Sequence, residues 1–391
     1  MKYDTVIIGA GASGLMCALS AAGRGLKVAV IDHNVSPGNK ILVSGNGHCN
    51  FTNLDCSHEN FVSKNPHFVK SALTNFGPSD FMAMLDKNKL AYEEKESGRM
   101  FCRGTARLVV EMLANECLTA GVTFSLGAKV TSLKKADIFE VRCAGAVFTS
   151  NSLVIATGGP SFPELGASNF GAGIARQFGI STIETKPALV PLVLGGIDRK
   201  TFSILSGVSF RGQVCIGKKT FTDDIMFTHR GLSGPAILQI STFWNSDVRL
   251  QIDILPDIDI ESQLLAIRNS SGKTMTKNFL SGFIRKSFAK VWCEKNNISE
   301  KLADLSNAKI RDIADRLHHW EPVISGTEGI NKSHAVNGGV DTSEISSKTM
   351  ETKKIKGLYF IGEVLDVVGQ LGGYNLQWAW SSGAAAGRHV C

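Results

Sequence analysis

The stretch from Tyr3 to Asp32, YDTVIIGAGASGLMCALSAAGRGLKVAVID, constrains the fold of this chain more than any other. Val6, Ile7 and Ile8 make an uninterrupted apolar run, the pattern of a buried strand. Leu15, Ala18, Leu19 and Ala22 then recur at helical spacing, and Lys27 to Ile31 reads as a second strand. Strand, helix and strand in this order form a βαβ unit, which requires a parallel sheet. Gly9, Gly11 and Gly14 stand at the first junction in GxGxxG spacing. Such glycines allow a tight turn, a close backbone approach to a pyrophosphate and close helix–strand packing, with the helix N-terminus facing the anion. Gly9, Gly11, Ala12, Ser13 and Gly14 are therefore candidate phosphate contacts. Asp32 ends the second strand 18 residues after Gly14, where a carboxylate accepts hydrogen bonds from a ribose diol, and His33 lies beside it. The unit predicts a dinucleotide site and leaves FAD and NAD both open.

Two later segments bear on that choice. SLVIATGG, Ser152 to Gly159, is an apolar strand ending in Ala156, Thr157 and Gly158. Near the C-terminus, KGLYFIGEVLDVVGQLGGYNLQWAWSSGAAAG reads as a strand, an acidic turn with Gly362, Glu363 and Asp366, a Gly372-Gly373 loop, and a helix opening with Tyr374, Asn375 and Leu376. A frame built from both ends of the chain suits FAD, whose ribityl and isoalloxazine parts need a second loop beyond the βαβ unit. Trp378 and Trp380 face opposite sides of that helix and read as core.

Between them lies KILVSGNGHCNFTN, Lys40 to Asn53, which invites several readings. A zinc site from His48, Cys49, Cys56 and His58 lacks the CxxC or HxxxH spacing and any paired knuckle elsewhere, so no metal is expected. A direct Cys49–His48 nucleophile pair is disfavoured because neighbours in an extended segment face opposite ways. A cofactor loop remains, in which Ser44, Gly45 and Gly47 let main-chain amides approach FAD and Lys40 balances the pyrophosphate charge.

The 391 residues exceed one ordinary domain, and no uninterrupted apolar run reaches about 18 residues, so no membrane span is expected. The N-terminal apolar run resembles a secretory signal, but Asp4 and its glycines favour mature structure. Nine cysteines without CxxC spacing point away from a disulfide scaffold and toward a reducing cytoplasm. The expected class is α/β: a discontinuous Rossmann-like FAD domain of the two-dinucleotide-binding type over 1–192 and 336–391, an inserted β-rich domain over 193–256, and a helical subdomain with its return segment over 257–335. Residues 261–321 carry eleven basic against seven acidic residues, over half of the chain's net +7. Within them Lys273, Lys277, Arg285, Lys286 and Lys290 are candidates to track nucleic-acid phosphates, against the plainer reading of a solvated basic face.

The ordered set GxGxxG, KILVSGNGHCNFTN, VIATGGPSFPELGAS, PALVPL, MFTHRGLSGPAILQIS and VNGGVDTSEISSKTMETKKIKGLYFIGEVLDVVGQLGGYNLQWAWSSG resembles the HI0933-like flavoproteins through nearly the whole chain. Coverage is weakest over Ile197 to Asp223 and Asp257 to Trp320. Bacterial members of that family reduce either bile-acid enones or uridines of ribosomal RNA, and NPHFVKSAL and GTEGI bring this chain nearer the second branch. Two departures stand out: Asn337 replaces a usual Thr, and Gly38-Asn39-Lys40 replaces a usual Gly-Arg.

The resemblance implies that Cys49, Asn50 and Thr52 lie close to FAD. It further implies that NADPH or NADH visits transiently as reductant, and that the substrate is ribosomal RNA, 23S in particular. Hydride would enter uridine C6 and a protein acid would protonate C5; Cys49, Tyr374 and His229 are the candidates, with Arg230 facing substrate. The amides of Gly373, Tyr374, Asn375 and Leu376 would stabilise an anion on the flavin ring. A small-molecule enone reductase and a non-catalytic flavin-containing RNA-binding factor are the alternatives.

Overall fold

The computed structural model describes residues 1–270 and 272–391, apart from the side chain of residue 269. It divides into two compact units, Met1–Lys186 with His334–Cys391, and Pro187–Ser333.

In the first unit β1 (Lys2–Ile8), α1 (Ala12–Ala22) and β2 (Val28–Ile31) form the expected βαβ unit, with β1 and β2 parallel from Thr5 opposite Val28 to Ile8 opposite Ile31. Val6 to Ile8 of β1 and all of β2 are apolar and buried, as a parallel sheet covered on both faces requires. The sheet runs Thr123–Ser125, β2, β1, β3 (Ala146–Ile155), Phe139–Cys143 and Val130–Lys135. The ten-residue β3 pairs parallel with β1 along one edge and serves two ladders along the other. Its first half pairs antiparallel with Phe139–Cys143, and its last residues pair parallel with β4 (Leu358–Phe360), a strand some 200 residues later. This is the Rossmann-type α/β class expected.

The C-terminal helix α2 (Tyr374–Gly387) packs on α1, and its small residues are what let it. A Cβ at Gly383 would lie 2.5 Å from the Ser13 carbonyl oxygen, and one at Gly387 2.5 Å from Ser20 Cβ. The Arg24 guanidinium closes the far end, donating to the carbonyls of Gly387 at 3.0 Å and Val390 at 2.7 Å. Trp378 and Trp380 are buried as expected, each indole N–H donating to a carbonyl, of Gly362 and Phe51 respectively.

The second unit holds an antiparallel sheet in the order Gln251–Asp253, Ser209–Ile216, Lys219–Phe227, Gly231–Ser233, Leu192–Leu194 and Ile324–Thr327. The helices Ile260–Ser270, Thr276–Leu280, Lys286–Lys295 and Asn307–His318 share its core. Phe210 and Phe227 of the sheet each approach Phe288 with ring centroids 4.9 Å apart, and Trp292 meets Trp320 at 5.5 Å. A boundary at residues 256 and 257 is therefore not a division of the structure: strands and helices bury one another's apolar faces. The unit also starts earlier than expected, because Leu192–Leu194 pairs with Gly231–Ser233 and Ile324–Thr327.

Candidate cofactor and active site

At the end of β1 the three glycines divide their work. Gly9 has φ +114°, and a Cβ there would lie 2.3 Å from the Ala156 carbonyl oxygen; a Cβ on Gly14 would lie 1.9 Å from that of Gly9. Both glycines, with Ala156, serve packing inside the protein. Gly11 is different: a Cβ there would meet nothing within 4 Å. Gly11 caps α1, whose first amide N–H groups, at Ala12, Ser13 and Gly14, have no intrahelical partner.

Asp32 accepts the Ala10 N–H at 2.7 Å and the Asn34 N–H at 2.8 Å, one on each oxygen. A carboxylate has about four acceptor sites, so two remain. His33 Nδ1 lies 3.5 Å from the same carboxylate. Gly158 sits at φ +68° with open space beside it, and the buried Thr157 hydroxyl has no hydrogen-bond partner. An open face at Gly11 and spare acceptors on Asp32 fit a bound dinucleotide.

The second loop differs from its sequence reading. Asn39–Val43 is a short helix and Ser44–Gly47 a tight turn, so His48 and Cys49 are not in an extended segment. They still part company. His48 is exposed and its Nδ1 lies 2.7 Å from the Gly104 carbonyl oxygen, while Cys49, at φ +49°, turns fully into the core. Burial pushes the Cys49 thiol up to about 12, opposed by a Ser44 hydrogen bond and reinforced by Cys102. Cys49 is 0% exposed, covered by the protein's own atoms, so it is not placed to protonate a substrate.

The Ser44 hydroxyl also donates to the Ile41 carbonyl, and a Cβ on Gly45 would lie 2.7 Å from Asn50 N. Their features are spent within the protein; Gly47, with nothing nearer than 4.0 Å, alone stays open. Nor is Lys40 a free countercharge. Its ammonium is ion-paired to the Glu363 carboxylate and donates to Ser161 Oγ at 2.6 Å, while Ser161 donates to Glu363 at 3.0 Å. Sequence reading missed Ser161, although it stands inside the quoted PSFPEL run.

The Gly372-Gly373 loop is fastened from below. The Asn50 amide, in the orientation that satisfies both its ends, accepts the Gly373 N–H at 3.1 Å and donates to the Thr52 and Met100 carbonyls. Thr52, 0% exposed, donates to Gln377 Oε1 at 2.5 Å, and Asn53 donates to the Gly372 carbonyl at 3.2 Å. Asn50 and Thr52 therefore hold the loop. Nothing in the sequence singles out Gln377 from Asn375, Ser381 and Ser382 of the same helix.

Gly372 at φ +125° and Gly373 at φ +98° need glycine's freedom, and a Cβ on Gly373 would lie 2.4 Å from the Thr52 carbonyl oxygen. The Asn375 side chain grips Gly369 from both sides, accepting its N–H and donating to its carbonyl, each at 2.9 Å. Asp366, buried, accepts Lys64 N–H at 2.9 Å on one oxygen and Gly338 N–H at 3.0 Å on the other, and so braces two segments distant in sequence. Gly362, at φ +72°, approaches Ser13, where a Cβ would lie 2.6 Å from the hydroxyl.

Tyr374, at the start of α2, packs edge-on against Phe61 at 6.2 Å, and burial raises its phenol to about 12 with Cys56 and Asp55 adding to the shift. Leu376 lies one turn into the helix, half-buried. Cys56 is half-buried, its thiol also raised to about 12 by burial, and it was singled out from sequence only as a metal ligand.

His229 and Arg230 belong to the second unit, exposed in the turn between Lys219–Phe227 and Gly231–Ser233. The Thr228 hydroxyl builds that turn by accepting the N–H groups of Arg230 at 3.2 Å and Gly231 at 2.9 Å. Lys273, Lys277, Arg285, Lys286 and Lys290 are exposed there as well. Lys295 is not part of any surface stripe, since it pairs at 2.5 Å with the buried Asp198.

Residues 3–389 match the model described as the HI0933-like protein Rossmann domain. The chain belongs to the HI0933-like family. It is 42% identical to the ribosomal RNA dihydrouridine synthase of Haemophilus influenzae, over 98% of this chain and 97% of that one. It is also 42% identical to the enzyme of the same name from Escherichia coli, over 100% and 98%. A solved flavocytochrome c3 fumarate reductase in its open conformation superposes with a TM-score of 0.50 at 14% identity, over 99% of this chain and 78% of that one, a likeness of fold. In this HI0933-like chain neither departure from the family pattern removes a packed glycine. Lys40 lies in the helix entered from Gly38, and Asn337 lies half-buried in Ala335–Val340.

Proposed function

We propose that this protein is an FAD-dependent oxidoreductase that uses NAD(P)H to reduce uridine to dihydrouridine in ribosomal RNA, with 23S RNA as the substrate. The observation that carries the reading is the near-full-length identity of 42% to two proteins bearing that name. The open space at Gly11 and the spare acceptors of Asp32 support the cofactor half of it independently.

Asp32 would hold the ribose diol, and the free amides at the start of α1 the pyrophosphate. The Gly372–Leu376 turn, fastened by Asn50, Thr52 and Asn375, would present the N-terminus of α2 to the redox-active end. When bound, FAD supplies a two-electron carrier between the nicotinamide and the conjugated C=C bond. The pyrimidine is activated by its own C4 carbonyl, which delocalises the negative charge as C6 gains hydride. Tyr374 is the residue we assign to the proton at C5. Its raised phenol is protonated at neutral pH, its ring is held by Phe61, and solvent restores the proton afterwards.

The test is to incubate the FAD-loaded protein with NADPH and unmodified ribosomal RNA and to measure dihydrouridine by nucleoside mass spectrometry. Tyr374→Phe is expected to lower turnover by about a hundredfold while retaining flavin. No dihydrouridine from a flavin that NADPH reduces would sink the RNA reading, and turnover of a bile-acid-like enone in its place would replace the substrate.

A further inference from the structure

The second unit contains a cavity of about 570 Å³, within the range of ligand sites, that no part of the proposed chemistry uses. Three segments distant in sequence form it: the start of Ser209–Ile216, the loop after Gln251–Asp253, and the link between Thr276–Leu280 and Lys286–Lys295. Its wall is apolar and partly aromatic. Phe210 is packed against Phe288, whereas Phe283 is half-buried at the edge of the core, with Phe279 edge-on to it at a centroid distance of 5.2 Å. Its rim is cationic, with Arg211, Arg285 and Lys286 exposed against one acid, Asp257.

The Asp257 carboxylate lies 3.9 Å from the Arg211 guanidinium, both well exposed, an ion pair of little worth in water and easily exchanged for a phosphate. Three cations against that one acid thus line the cavity beside the half-buried ring of Phe283. The helix Lys286–Lys295 begins at the same rim and adds the positive end of its dipole. Ring-binding wall and phosphate-binding rim in one cavity match the two halves of a nucleotide. A purely apolar ligand leaves the three cations unused, and a peptide without acidic residues does the same.

We propose that this cavity is an anchoring site for a single-stranded nucleotide of the RNA substrate, its base against Phe283 and its phosphates on Arg211, Arg285 and Lys286. The proposal rests on the RNA reading above and adds a binding site apart from the residues that hold the cofactor. The second unit is then a reader of unpaired RNA, and affinity for a strand resides there. The cation term is salt-dependent and indifferent to sequence, while the aromatic term requires an unpaired base.

The FAD-loaded full chain is to be titrated with a short fluorescent oligouridine at several salt concentrations, and dihydrouridine formation on ribosomal RNA measured alongside. Arg285→Glu with Lys286→Glu should weaken oligouridine binding at least tenfold and flatten its salt dependence, with NADPH reduction of the flavin unchanged. Phe283→Ala should weaken it about fivefold with the salt dependence intact. Lys134→Glu with Lys348→Glu, the same charge change at exposed positions of the first unit, should alter binding less than threefold.

Equal affinity of wild type and the Arg285/Lys286 variant, with wild-type dihydrouridine formation intact, overturns the anchoring site and leaves the function standing. Unchanged oligouridine binding combined with lost association with ribosomal particles assigns the cavity to a protein partner and also overturns it. A wild type that binds oligouridine through these residues but forms no dihydrouridine overturns the function and keeps the site.

Discussion

The turn from Gly9 to Gly14 and the loop from Ser44 to Asn53 are both glycine-rich and polar as strings, and they do opposite things. In the first, two glycines are consumed by packing and the third, Gly11, leaves open space beside the end of a helix. In the second, nearly every group that looks ligand-ready is turned inward: Ser44 onto Ile41, Asn50 onto Gly373, Thr52 onto Gln377, Cys49 into the core. A glycine marks a ligand contact where its missing Cβ leaves a gap, and a scaffold where the gap is already filled by backbone.

Substitution of the two kinds of glycine should separate them most sharply. Gly14→Ala drives a methyl to 1.9 Å from the Gly9 carbonyl oxygen at the centre of the βαβ unit, and should cost about 3 kcal/mol or more, read as a large fall in melting temperature or loss of soluble protein. Gly11→Ala meets no atom and sits at φ −81°, so stability should change by less than about 0.5 kcal/mol while flavin affinity falls at least tenfold. A Gly11 variant that unfolds, or one that binds flavin normally, would remove the distinction.

Next in size is Asn375. Its side chain satisfies both backbone groups of Gly369, so Asn375→Leu strands a donor and an acceptor at the loop beneath α2, a loss of about 2–4 kcal/mol. Chemical denaturation of the flavin-free protein isolates that effect from ligand binding. An unchanged midpoint would mean that the Gly372–Leu376 turn is held by something other than this clasp.

Much of the first turn was legible because its partners are local: β1, α1 and β2 pack within some thirty residues, and their apolar periodicity carries the answer. The fastening of the second loop was not. Lys40 and Glu363 are 323 residues apart and Thr52 and Gln377 325, and single polar residues have no period from which a partner can be deduced. Nor does the sequence say that the Asp366 carboxylate accepts the Lys64 and Gly338 amides, 302 and 28 residues away. In the second unit, a β-rich stretch followed by a helical one is legible in the sequence. That Phe210, Phe227 and Phe288 meet in one core required the fold.

Thr52→Val tests the fastening more gently. It preserves shape, removes the hydroxyl and leaves Gln377 Oε1 without that donor in a buried site, at a cost of about 1–3 kcal/mol. Flavin affinity should fall by less than in Gly11→Ala, since the loop shifts but no atom enters the cofactor's space. Calorimetry of the variant with and without FAD gives both numbers, and an affinity loss equal to that of Gly11→Ala would make Thr52 a direct contact after all.

The smallest expected effect on turnover belongs to Cys49. With its thiol fully buried, Cys49→Ala should leave dihydrouridine formation per bound flavin within about twofold, although the lost packing lowers stability modestly. The native thiol should also resist iodoacetamide at pH 8, where the exposed Cys391 reacts. Because burial raises the Cys49 and Cys117 thiols to about 12, their contribution to stability is fully present below the ordinary thiol range near 9 and is lost as pH rises toward 12. Unfolding followed from pH 7 to 11 should accordingly be flat to about pH 8.5 and then decline, with Cys49→Ala declining less. A hundredfold loss of turnover in Cys49→Ala, or rapid alkylation of Cys49 at neutral pH, would return the thiol to the active site and make the second loop a ligand contact like the first.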